Sequence, residues 1–173
     1  MTRCPECGTS LRARTARAYR YRESGLDSVT LTGIRVYRCA KCREDFPEIP
    51  NILGLHRAIA SHLVKKPAPL TPAEFRFLRR EMGLKAKELA SLLGTTDVNL
   101  SRWETRTTPI NPTADRLLRL LYSVHTVRAG RAIEPAKFVQ AALKALEGIE
   151  ATKRPKPLLL RIPAEWPGGL VPA

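Results

Sequence analysis

Four cysteines fall in two pairs, Cys4 and Cys7 in "CPEC" and Cys39 and Cys42 in "CAKC". Two residues between thiols let one tight turn aim both sulfurs at a single ion, and two such turns complete a tetrahedral set that leaves no position open for a substrate. The spacing predicts one structural metal per chain, held by Cys4, Cys7, Cys39 and Cys42. Zinc suits four thiolates best, and an iron–sulfur cluster is the minor alternative. A redox dithiol fits poorly, because the pairs are symmetrical and neither has a βαβ pattern around it. The 31 residues between the pairs exceed the roughly 15–20 of common zinc modules, so a ribbon that leaves and returns has to fill them. His56 and His62 fall on the following helix and read as surface or core residues.

A second constellation lies in "AKELASLLGTTDVNLSRWE". Two helices that cross closely need a small residue at the crossing, a residue tolerant of positive φ in the turn, and a cap on the second helix. Ala90, Gly94 and Thr96 supply these in register, while Leu89, Leu93, Leu100 and Trp103 supply the inward side. This is the pattern of a helix-turn-helix, with an ordinary helical hairpin as the bland alternative. Its outward positions are then Thr95, Asp97, Asn99 and Arg102, with Ser101 beside them. Asn pairs bidentately with adenine and Arg with guanine, which makes Asn99 and Arg102 the candidates for direct base readout. Lys85, Lys87 and Arg106 flank the motif where phosphates would pass.

The elements that must hold these residues follow from period and punctuation. Residues 1–50 read as a metal-binding, strand-rich module: "RAYRYRES" alternates tyrosine with arginine and "VTLTGIRVYRC" is β-branched, predicting a hairpin over 11–38 with one basic face. At Pro50 the period becomes helical, and Ile52, Leu55, Ile59 and Leu63 form a stripe, so residues 51–70 read as a helical linker closed by "KKPAPL". Thr71, Pro72 and Glu74 form a capping box that opens the helix-turn-helix domain, residues 71–128, and Asn111 with Pro112 opens its last helix. A C-terminal helix is predicted within 129–150, and the proline-rich residues 151–173 read as an irregular tail. The fold class is α+β, a small β-rich module followed by an all-α domain, each with its own core.

Composition narrows the partners. The 173 residues carry 30 Lys and Arg against 16 Asp and Glu, a net charge of +14, with no separate basic tail. Double-stranded DNA is the first partner to consider. No apolar run reaches the roughly 18 residues a membrane span needs, and "MTRCPECG" lacks the apolar stretch of a secretory leader, so the chain is expected in the cytoplasm without membrane contact. No Ser-His-Asp set, acidic metal cluster or phosphate loop is visible, which argues against an enzyme.

Taken in order, "CPECG", "YRYRESGLDSVTL", "GIRVYRCAKC", "LHRAIASHLVKK", "LTPAEFRFLRREMGLKAKELASLLG" and "LSRWE" resemble the MqsA/YgiT-type antitoxin family, over about residues 4–122. That resemblance implies an N-terminal Cys4 zinc module, a C-terminal Xre/Cro-like helix-turn-helix, a homodimer that binds operator DNA and represses its own operon, and a ribonuclease-type toxin bound by the N-terminal module. Arg102 matches a base-contacting arginine of the motif. Val98 stands where some members carry a DNA-contacting Asn, Arg43 where a Gly commonly follows the second cysteine pair, and Lys85 where a Ser or Thr often caps. A basic N-terminal module suits a basic ribonuclease poorly, so regulation ranks above toxin neutralisation. The rival of another class is a protein–protein adaptor whose metal module holds a partner while the helical domain dimerises.

Overall fold

The computed structural model describes residues 3–130, 134–147, 149 and 157–162. Strands come first: β1 (Leu11–Ala16), β2 (Tyr19–Arg20), β3 (Val29–Thr32), β4 (Ile34–Cys39) and β5 (Asp45–Glu48). Six helices follow: α1 (Ile52–Lys65), α2 (Pro72–Glu81), α3 (Ala86–Leu92), α4 (Asp97–Glu104), α5 (Pro112–Arg128) and α6 (Pro135–Glu147). The chain is α+β, as its patterning predicts.

The predicted ribbon is present and keeps one register along its length. Leu11 faces Cys39, Ala16 faces Ile34 and Tyr19 faces Leu31, all antiparallel. A short 3-10 turn over Arg22–Ser24, ended by Gly25 at φ +75°, closes it, and Leu11 opposite Cys39 places its open end at the second cysteine pair. Register fixes which face each side chain takes. Arg12, Arg14 and Arg38 share one face, and Arg35 lies on the other. β5 further offsets the charge: Asp45 pairs with Arg14 and Arg38 at 3.1 and 3.2 Å, and Glu48 with Arg35 at 3.7 Å.

The C-terminal region requires a correction. Within 151–173, Leu158–Arg161 is a strand, β6, parallel to β3 with Val29 beside Leu158 and Thr32 beside Arg161. An unpaired β3 edge would leave a row of backbone groups to satisfy, and β6 satisfies them while burying Leu158 and Ile162. The rest of the predicted tail lies outside the described residues.

Residues 51–70 are likewise more than a linker. Leu55, Ile59, Leu63 and Val64 are buried, although Ile52, the first residue of the predicted stripe, is half exposed. Core residues of the ribbon (Tyr21, Val29, Leu31, Val36) and of the helices (Phe75, Leu89, Leu100, Leu118) belong to one hydrophobic cluster, so the two expected cores are one. Polar bonds cross the same junction. Tyr21 Oη is hydrogen-bonded to His56 Nε2 at 2.8 Å, and His56 Nδ1 to Glu81 Oε1 at 2.9 Å, tying ribbon, α1 and α2 together.

The segment after α1 is pinned by a buried arginine. Arg119 is wholly buried and donates from Nη1 to the carbonyls of Leu63, Val64 and Lys66, from Nη2 to that of Ala68, and from Nε to Asp115 at 2.6 Å. The last carbonyls of a helix have no N–H of their own turn to accept from, and here a guanidinium supplies the donors. Lys66, also buried, pairs with Glu74 at 2.5 Å. "KKPAPL" therefore reads as a boundary in composition and is a fixed joint in the fold.

Candidate metal centre and nucleic-acid interface

Each cysteine pair sits in the same kind of turn. The Gly8 amide donates to the Cys4 carbonyl at 2.9 Å, and the Arg43 amide donates to that of Cys39 at 3.0 Å. The residue after each pair is left-handed, Gly8 at φ +71° and Arg43 at φ +62°. Arg43 thus occupies a position that favours glycine and holds the turn at a cost in backbone strain.

The four sulfurs of Cys4, Cys7, Cys39 and Cys42 lie within 4.8 Å of one another, and Cys7 Sγ is 3.6 Å from Cys39 Sγ. A tetrahedron with metal–sulfur bonds of about 2.3 Å has edges of about 3.8 Å, so the cluster fits one ion, whereas a disulfide needs about 2.05 Å. The predicted ligands therefore form a group positioned to hold a metal ion. Crowding spreads their ionisation. Cys7 is drawn down to about 6, chiefly by the Thr9 hydroxyl 3.3 Å away, while Cys42 is pushed up to about 12, chiefly by its hydrogen bond with Cys7, and burial pushes Cys4 up. A cation binding here displaces the protons that the crowded sulfurs retain.

The helix pair has the predicted anatomy. Ala90 is buried at the crossing, Gly94 turns at φ +64°, and the Thr95 amide reaches back to the Ala90 carbonyl at 2.9 Å. Thr96 caps α4 by accepting from the Asn99 amide at 3.2 Å. Leu89 and Leu100 are buried, and Trp103 packs edge-on against Phe75 at 6.1 Å. At the start of α3, Glu88 accepts from the Lys85 amide at 2.7 Å. Lys85 has no side-chain oxygen with which to return the bond, so its place at the cap leaves the side chain exposed.

Asp97, Asn99, Ser101 and Arg102 are exposed on α4, Thr95 is half-buried beside them, and Lys85, Lys87 and Arg106 are exposed around them. Asn99 Nδ2 lies 3.4 Å from Thr95 Oγ1, which orients the amide from within the turn. The Arg102 side chain has no hydrogen bond or ion pair among the described residues. Asp97 accepts from the Val98 amide at 2.9 Å, a helix-start role. Sequence reasoning passed over what fixes α4 in place. Glu104 is buried and accepts from Arg79 Nε at 2.6 Å and Nη2 at 2.9 Å, and Arg76 donates to its carbonyl at 2.6 Å. The hydrogen bonds to the Glu104 carboxylate raise the Arg79 pKa. Val98, at the position where the resemblance places a DNA-contacting Asn, is 55% exposed, one turn before Arg102.

No family model, curated protein or solved structure matches the chain. Among the described residues no helix is long and apolar enough to cross a membrane.

Proposed function

We propose that the chain is a sequence-specific DNA-binding regulator, an antitoxin-like autorepressor that acts as a cytoplasmic homodimer. One observation carries this reading: α4 is capped by Thr96, anchored at its far end by Glu104, and presents to solvent Asn99 and an Arg102 that has no partner among the described residues. A helix held at both ends with bidentate-capable side chains outward is what major-groove readout requires. Arg102 addresses guanine, Asn99 adenine, and Val98 offers its apolar surface to a thymine methyl. Lys85, Lys87 and Arg106 grip phosphate. The four cysteines hold one zinc as a fold staple for the ribbon, with no catalytic role. A ribonuclease-type toxin is the second partner, by way of the N-terminal module.

The test is operator retardation by Arg102→Ala against wild type, on operator and on random duplex. The loss at the operator is expected to be about 1–3 kcal/mol with little change on random DNA. An equal loss on both would reduce α4 to a phosphate-gripping or purely structural helix.

A further inference from the structure

We infer that the cavity beside the loop after α4 binds a small amphipathic carboxylate. It has a volume of about 620 Å³, in the size range of small-molecule sites, and lies where α2 and α5 begin. Four prolines with Leu70, Ile110 and Ile149 make its walls. Such walls suit an apolar body and offer little to a bare phosphate.

The charge at its edge is unbalanced. Arg106 and Arg116 line the cavity, and neither side chain has an ion pair or hydrogen bond among the described residues. Asp115 also lines it, but this carboxylate is committed to Arg119 Nε at 2.6 Å and to the Leu70 amide at 2.7 Å. What remains is two arginines, unpaired among the described residues, in the lining of a cavity with mostly apolar walls, a match for one carboxylate on a hydrocarbon or aryl body.

Arg106 adds an independent observation. It follows α4 at φ +65°, where the Thr107 amide donates to the Arg102 carbonyl at 2.9 Å, the helix-ending turn that glycine ordinarily completes. An arginine strained into a glycine position, with its side chain at an open cavity, supports a role for that side chain.

The site is tested without DNA, so its failure is distinguishable from failure of the regulator reading. Full-length metal-loaded protein is titrated calorimetrically with octanoate, octanamide and inorganic phosphate. Octanoate is expected to bind one per chain, with octanamide and phosphate about tenfold weaker, the worth of one charge-assisted hydrogen bond. Arg116→Gln should weaken octanoate by a similar factor with unchanged helical circular dichroism. Arg106→Gly separates structure from binding, since it should raise Tm by relieving the turn and yet lower octanoate affinity. The proposal is overturned if octanoate shows no saturable binding, if octanamide or phosphate binds as tightly, or if neither arginine variant weakens it. It is also overturned if octanoate binds only to a chain shortened after Ile162, which would give the cavity to the C-terminal tail.

Discussion

Replacing Arg119 with Met should destabilise the protein by about 4 kcal/mol. Met preserves much of the apolar stem, so the loss falls on polar partners. The Leu63 carbonyl still accepts from the Lys66 amide at 3.3 Å, but those of Val64, Lys66 and Ala68 lose the donor that the fold provides. Each buried unsatisfied group costs about 1–3 kcal/mol, so three bring about 3 kcal/mol at the low end. Asp115 keeps its bond from the Leu70 amide and loses its counter-charge, and breaking a buried pair on one side costs about 3–5 kcal/mol. These terms overlap and water relieves part of them, which places the total near 4 kcal/mol against a typical total stability of about 5–15 kcal/mol. Arg119→Lys keeps a charge for Asp115 but not the planar fork that reaches four carbonyls, and should cost about half as much. Urea unfolding followed by far-ultraviolet circular dichroism, with metal in excess, measures both. A loss under about 1 kcal/mol for Arg119→Met at unchanged m would refute the claim that this guanidinium satisfies the joint.

Arg43→Gly should stabilise the chain by up to about 1 kcal/mol, since glycine adopts the left-handed turn freely, and a lowered midpoint would show that the Arg43 side chain contributes more than its strain costs. Chelating a metal loaded on the four cysteines, or Cys39→Ser, should lower the thermal midpoint of the helical signal as well as that of the ribbon, because the two share one core; a helical transition unmoved by chelation would restore the two-core picture. Leu158→Asp should cost about 2–3 kcal/mol by expelling β6 from β3, measurable as a urea midpoint shift with faster amide exchange in β3. No change would remove β6 from the core.

What sequence made legible was local. The paired cysteines, the Thr71 and Asn111 caps and the Ala90–Gly94–Thr96 spacing each depend on neighbours within one or two turns, and all appear where residue chemistry demands them. Long-range satisfaction was hidden. Arg119 sits four residues after Asp115 and reads as a surface ion pair, since nothing local tells that the carbonyls it serves lie 51–56 residues earlier. Glu104 looks like a helix-end charge until Arg79 is seen 25 residues before it. "LLLR" is short, poor in β-branched residues and set among prolines, so only the vacant edge of β3 marks it as a strand.

The pairing of β6 with β3 sets an order of events during synthesis. The hydrogen bond from Thr32 to the Leu160 carbonyl joins residues 128 apart in sequence. At about 5–20 residues per second, translation of the intervening chain takes roughly 6–25 s. For that interval a nascent chain whose ribbon has already closed carries a bare strand edge beside buried apolar positions, the kind of surface on which growing chains pair with one another. Among the described residues the strand made last is the one that shields it, so a message truncated before Leu158 would yield a product that folds its helices and keeps that edge open to aggregation.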